Sequence, residues 1–211
     1  MASPAVYLDR DGVLNRNRVD HVKDWKEFRF LPGALRALNL LARLNLPIVV
    51  VTNQAIINRG IVPVDVVDDL HARMIEQVSR AHGRVDHVYY CPHRPDELCD
   101  CRKPEPGLLL RSAAELDVDL SRSVFVGDAI SDIVAGRRAG CGTVLVRSGR
   151  ISRAWRQIGD DPLTLPDADA DDLFCAVPKI IEVLRSRSIG LPAVTRAPEY
   201  VGLMSSGPAG H

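Results

Sequence analysis

Net charge is what this chain most plainly lacks. Its 27 lysines and arginines are matched by 27 aspartates and glutamates, so bulk electrostatics give no reason to expect nucleic acid or an anionic membrane as a partner. Aromatic residues make up only 5%, which argues further against stacking on bases. No apolar run approaches the roughly 18 residues that span a bilayer. Met1 to Val6 has neither a charged leader nor a long apolar segment, so no export signal is visible. The expectation is a cytoplasmic monomer that acts on a small molecule. Cysteines number five; in a chain without an export signal they are read as thiols or metal ligands before disulfides. No internal repeat is found.

What is present is ordinary for a globular chain: 46% hydrophobic and 26% charged residues, enough for one full core. Apolar, β-branched runs end at Leu8 and fill Ile48–Val51, Val85–Tyr89, Val124–Val126 and Thr143–Val146, the pattern of strands covered on both faces. Helical patterns lie between them. Pro32 opens one, with Leu35, Leu38 and Ala42 on a stripe. Residues 63–81 carry Val66, Leu70, Met74 and Val78 at helical spacing. Two more run over 106–116 and 129–139. The alternation predicts an α/β fold with a mostly parallel central sheet. From Ser148 the chain turns polar, and 160–172 reads as a solvated loop before a last helix over 171–185. One domain over 1–185 and a flexible tail over 186–211 follow.

Each strand end carries polar punctuation. Asp9 and Asp11 follow the first strand, and Thr52, Asn53 and Gln54 the second. Arg102 and Lys103 precede the third helix, and Gly127, Asp128 and Asp132 follow the fourth strand. Singly, each reads equally well as a turn or a cap. Jointly, and in this order at the carboxyl ends of strands, they suit phosphoryl transfer. One carboxylate attacks and another moves a proton. Asp9 and Asp128 offer hard oxygen ligands for Mg²⁺, and Thr52 and Lys103 hold phosphoryl oxygens.

Asp9-Arg-Asp-Gly-Val, Val51-Thr-Asn, Lys103 and Gly127-Asp128 with Asp132 resemble the four motifs of the haloacid dehalogenase superfamily of phosphatases. The resemblance runs from Ala5 to Arg147. It implies a Rossmann-like three-layer sandwich with short inserts in place of a large cap. It also implies Asp9 as the nucleophile that forms an aspartyl-phosphate, with Asp11 as acid and then base. Mg²⁺ would be held by the Asp9 side chain, the Asp11 backbone carbonyl and Asp128, with Asp132 in support. Thr52 and Lys103 would bind the transferring phosphate.

Cys91, His93, Cys99 and Cys101 can complete a closed tetrahedral site of the kind used for structural Zn²⁺; reduced thiols beside a surface histidine are the alternative. A metal-stapled loop over about 91–101 would fix where Arg102 and Lys103 point. Cys-Pro-His followed by Cys-Asp-Cys-Arg-Lys-Pro narrows the resemblance to one branch. That branch holds the D-glycero-D-manno-heptose 1,7-bisphosphate phosphatases and the histidinol-phosphate phosphatases. Asn15, Arg59-Gly60 and Pro104-Glu-Pro-Gly107 lean toward the heptose enzymes; the short gap between His93 and Cys99 leans the other way. Ala129 and Ala55 depart from the common heptose pattern. The implied activity is release of the 7-phosphate from the heptose bisphosphate. Histidinol phosphate or another small sugar phosphate is the alternative substrate, and a non-catalytic phosphometabolite binder the alternative class.

Asn15, Thr52, Asn53, Gln54, Arg59, Arg102 and Lys103 are the candidate substrate-binding residues. Among arginines, guanidinium suits a second phosphate, with Arg102 and Arg59 placed ahead of Arg16 and Arg18. His21, His71, His82 and His87 stand alone and receive no role. Cys141 and Cys175 are read as buried small apolar residues.

Overall fold

In the computed structural model, which describes residues 2–149 and 161–187, the near-continuous apolar runs become the middle of one parallel sheet. Its strands are β1 (Val6–Leu8), β2 (Ile48–Asn53), β3 (His87–Cys91), β4 (Val124–Gly127), β5 (Gly142–Val146) and β6 (Ala168–Ala170). Every pairing is parallel and the order is β3-β2-β1-β4-β5-β6. The helices are α1 (Ala34–Ala42), α2 (Val64–Arg80), α3 (Gly107–Leu116), α4 (Ile130–Arg138) and α5 (Leu173–Arg187).

Side chains alternate across the sheet, as the two-residue period requires. Val6, Leu8, Ile48, Val50, Val124 and Val126 face α1, α2 and α5 in one core. Tyr7, Val49, Val51 and Phe125 face the opposite way, with Leu108 and Leu109 of α3 and Ala135 of α4. Three layers result. Because β1 continues to β2 on one side and borders β4 on the other, the chain reverses its winding direction there. The crevice beyond the carboxyl ends of β1, β2 and β4 is where open α/β sheets bind ligands.

Several expectations need correction. Strand β6 was expected to be solvated loop; Ala168–Ala170 instead pairs with Val144–Val146 at the sheet edge. The buried stripe of α1 is Ala34, Ala37, Leu38 and Leu41, with Leu35 and Ala42 only half-buried. In α2, Val67 is buried and Val66 half-buried. β3 begins two residues later than the apolar run suggests, and α5 continues through Ser186 and Arg187. The remainder of the expected tail lies outside the described residues. Cys141 is buried, but Cys175 is exposed. Among the described residues no helix is long and apolar enough to cross a membrane.

Both edge strands are fastened by the same device. Asp86, just before β3, donates its N–H to the Ile48 carbonyl (2.8 Å) while its carboxylate accepts from the Ile48 N–H (2.8 Å). Asp167, just before β6, does the same with Thr143, at 2.9 and 2.7 Å. Asp167 also pairs with Arg137 of α4 at 2.9 Å. Thr143 is fully buried, so its N–H has no recourse to bulk water. Asp167→Ala is therefore expected to destabilise the fold by about 1–3 kcal/mol. Asp167→Asn, which keeps the acceptor, should recover most of that loss; urea midpoints of the three proteins provide the check.

Candidate active site

The ends of β1, β2 and β4 deliver their polar residues into one cleft of about 270 Å³. β1 stops at Leu8, and the Asp9 N–H still reaches the Val126 carbonyl at 2.9 Å, so Asp9 leaves the sheet held in register with β4. Gly12 turns the chain with φ +96°, and a Cβ there would lie 2.3 Å from an Asp128 carboxylate oxygen. Only glycine lets this loop pass so close to Asp128. Asp9, Asp11, Thr52, Lys103, Asp128 and Asp132 all line the cleft.

Lys103 is the hub. Its buried ammonium lies 2.8 Å from Asp9 Oδ1 and 2.7 Å from Asp132 Oδ1 and donates to the Val51 carbonyl at 2.9 Å. Burial alone would depress its pKa, but the charges of Asp132 and Asp9 outweigh that and hold it above the usual lysine range. The other Asp132 oxygen accepts from the Ala129 N–H at 3.0 Å. Asp132 is thus engaged on both sides. Asn53 clamps the Lys103 backbone from both sides: its Oδ1 accepts from the Lys103 N–H and its Nδ2 donates to the Lys103 carbonyl, each at 3.1 Å. Expected to meet substrate, Asn53 faces the cleft with its carboxamide already engaged.

Asp11 sits in a second network. Its Oδ1 accepts from Asn15 Nδ2 (2.9 Å), and its Oδ2 accepts from Arg10 Nη2 (2.8 Å) and Gln54 Nε2 (2.9 Å). Burial would raise the Asp11 carboxyl, but the Arg10 charge and the two amides prevail and hold it below the usual carboxylate range. Gln54 Nε2 also donates to Thr52 Oγ1 at 2.9 Å, which leaves the Thr52 hydroxyl hydrogen to point elsewhere. Asn15 was expected at the substrate; it is completely buried and lies behind Asp11, outside the cleft lining. Arg10 and His71 were not foreseen. Arg10 is 1% exposed, and its Nη1 lies 2.9 Å from His71 Nε2. Arginine can only donate, so His71 Nε2 accepts and the imidazole is neutral, with its proton on Nδ1.

The donor set fits a divalent cation. Carboxylate oxygens of Asp9, Asp128 and Asp132 lie within 4.8 Å of one another. Among the described residues, Asp9, Asp11, Asp128 and Asp132 bring four carboxylates to the cleft, and Lys103 and Arg10 are the buried cations near them. Burial, with Asp132 and Asp11 nearby, pushes the Asp9 carboxyl up to about 6 despite Lys103. A divalent cation held among these carboxylates would keep Asp9 ionised.

Beside the cleft, the Sγ atoms of Cys91, Cys99 and Cys101 are 3.3–3.6 Å apart, and His93 Nδ1 is 3.4 and 3.2 Å from those of Cys91 and Cys101. Four ligands about 2.0–2.3 Å from a tetrahedral zinc would be separated by nearly such distances. The cluster touches the site through Arg102, whose Nη1 donates to the His93 carbonyl at 3.1 Å.

A HAD-hydrolase-like family model matches residues 100–173. Curated relatives named D-glycero-beta-D-manno-heptose-1,7-bisphosphate 7-phosphatase include one from Pseudomonas aeruginosa, 41% identical over 150 residues, covering 71% of this chain and 84% of that protein. Another from Escherichia coli K12 is 39% identical over 157 residues, covering 70% and 81%. The chain belongs to the HAD-like hydrolases. A crystal structure of the D,D-heptose 1,7-bisphosphate phosphatase from B. bronchiseptica, complexed with magnesium and phosphate, superimposes on this HAD-like hydrolase with a TM-score of 0.78 at 34% identity. It covers 85% of this chain and 98% of that one.

The rim of this HAD-like hydrolase is more exposed than its floor. Arg59 and Arg102 line the cleft, as does Arg18, which is paired with Asp20 at 3.0 Å and Glu27 at 3.5 Å; Arg16 does not line it. His21, to which no role was given, also lines the cleft, and its Nε2 is 3.4 Å from Arg59 Nη1.

His71 makes the stability of the fold depend on pH. Burial and Arg10 push its pKa from 6.5 down to about 3. Between those values the unfolded chain binds a proton that the folded chain does not. The stability from neutral His71 is therefore complete above about pH 6.5 and is lost as pH falls toward 3. Relative to His71→Gln, the wild type should lose about 2 kcal/mol more between pH 7 and pH 5, measured by denaturant unfolding at the two pH values.

Proposed function

We propose that this protein is a Mg²⁺-dependent phosphatase that removes the 7-phosphate of D-glycero-D-manno-heptose 1,7-bisphosphate. The observation that carries the reading is the convergence of Asp9, Lys103, Asp128 and Thr52 at the winding reversal of the sheet, in a chain about 40% identical to phosphatases of that name. Mg²⁺, held by the Asp9 and Asp128 carboxylates and the Asp11 carbonyl, would supply charge neutralisation that lets a carboxylate approach a phosphate. Asp9 attacks phosphorus with the oxygen that does not face Lys103, and the bond from phosphorus to the sugar oxygen breaks. Lys103 and the Thr52 hydroxyl hold the phosphoryl oxygens as charge shifts among them. Asp11 gives its proton to the leaving sugar oxygen. It then takes a proton from water, which attacks the aspartyl-phosphate, frees phosphate and regenerates Asp9.

Asp11 rests as a carboxylate, so it must gain the proton it donates. A phosphate dianion bound beside it supplies the cause, because a second negative charge nearby raises a carboxylate's pKa. Arg59 and Arg102, at the rim, are suited to the second phosphate. The zinc site is structural: its four ligands leave no open position, and it fixes the segment that carries Arg102 and Lys103.

Asp9→Asn should abolish phosphate release, and Arg59→Ala should raise KM for the bisphosphate far more than for a monophosphate. In the wild type, kcat/KM for one anomer of the heptose bisphosphate should exceed that for histidinol phosphate by at least ~10³-fold, within the usual enzymatic span. Comparable, weak rates on all of them would leave the phosphatase chemistry standing and remove the heptose as substrate. Protein purified without added zinc should contain about one equivalent by elemental analysis; folded, active protein with none would exclude the structural site.

A further inference from the structure

His71 lies on α2, far from the four motifs in sequence, on the helix stripe otherwise made by Val67, Leu70, Met74 and Val78. An apolar residue would pack there at no desolvation cost; a histidine needs a partner. Its partner is Arg10, at 2.9 Å, and among the described residues no other side chain accepts from Arg10 Nη1. Tyr90 borders the imidazole with ring centroids 5.4 Å apart, and its hydroxyl donates to Asp68 at 2.7 Å. With Nη1 fixed on His71, Arg10 Nη2 reaches both Asp11 Oδ2 (2.8 Å) and Gln54 Oε1 (3.1 Å). That second contact also sets which way the Gln54 amide faces. Its Nε2 is thereby turned to Asp11 and Thr52.

We propose that His71 is a positioning residue for the proton-transfer carboxylate: through Arg10 it orients Asp11 and, through Gln54, Thr52. The inference rests on the role given to Asp11 above. Without an acceptor at position 71, Arg10 would be a fully buried guanidinium with Nη1 unsatisfied, in addition to Nε, which has no partner among the described residues. Such a group reorients toward whatever acceptors remain, and Asp11 and Gln54 are the ones within reach. A proton transfer tolerates little displacement of its donor.

The test compares full-length wild type, His71→Gln, His71→Leu and Asp11→Asn on two substrates with Mg²⁺. One is a sugar monophosphate, whose alkoxide leaving group needs a proton. The other is p-nitrophenyl phosphate, whose leaving group departs without one. kcat/KM reports the steps through the first P–O cleavage, so it isolates the acid role. His71→Leu should lower kcat/KM for the sugar phosphate by ~30–100-fold, toward the range that general acid catalysis contributes, and that for the aryl phosphate by less than ~3-fold. His71→Gln, whose Oε1 can accept from Arg10, should recover most of the sugar-phosphate rate. Equal losses on both substrates, or no loss on either, would overturn the proposal. Should His71→Leu fail to fold, ¹⁵N shifts of the wild-type imidazole decide: a neutral Nδ1–H ring at pH 6–7 supports it, and an Nε2–H tautomer or an imidazolium overturns it. Asp11→Asn separates the two layers. If that variant keeps full activity on the sugar phosphate, the acid role of Asp11 fails. If it is inactive while His71→Leu shows no selective loss, only the role of His71 fails.

Discussion

A buried lysine ammonium pressed between two carboxylates is the constraint around which this molecule is arranged. Moving Lys103 out of water costs several kcal/mol unless its partners meet it at close range. Asp9, Asp132 and the Val51 carbonyl do so, and they come from the end of β1, the first turn of α4 after β4, and β2. The sheet register between β1, β2 and β4 is therefore also the register of the ion pairs. A slip of one residue in any strand would turn its polar end away from the others and leave the ammonium uncompensated. Lys103 itself belongs to no strand. Its segment is held by Asn53 at the backbone and by the Cys91–His93–Cys99–Cys101 cluster two residues upstream.

The sequence read well where a residue's place depends on its neighbours in the chain. Val49 to Val51 have to be a covered strand, and Thr52, Asn53 and Gln54 have to emerge at its end, whatever else the fold does. The same locality made Asp9, Asp11, Asp128 and the cysteine cluster legible. It failed at β6, where Ala-Asp-Ala between other aspartates looks like solvated chain. Edge strands are short and tolerate charge, and here Asp169 pairs with Arg147 while Asp167 fastens the neighbouring strand. The repeated device of an aspartate just before an edge strand is a signal that could have found it, since Asp86 plays the same part before β3.

His71, Arg10 and Asn15 were illegible for a different reason. Each acts through a contact whose meaning is set by the fold. Arg10 and His71 are 61 positions apart, and nothing in a helix stripe announces that one member accepts a hydrogen bond from a residue beside the first strand. Asn15 could be seen to follow the first motif, but not that the Gly12 turn folds it back beneath Asp11. Polar residues predicted to reach a ligand thus divided in two: some line the cleft, and others build its wall from behind.

That division gives the cleft two tiers with different physics. On its floor, Asp9, Asp11, Thr52, Lys103 and Asp132 are hydrogen-bonded or ion-paired in a nearly dry setting, where geometry is fixed and charge interactions are strong. At its rim, Arg59, Arg18 and His21 are on loops, partly solvated, and held by contacts that water can replace. The floor can handle a phosphoryl group, and all phosphate monoesters present that group alike. Discrimination among sugars must then come from the rim, where a guanidinium can find a second phosphate without disturbing the ion pairs below. Changes confined to the rim can retune which ester is accepted while the floor stays as it is, because the two tiers share the cleft but few of its hydrogen bonds.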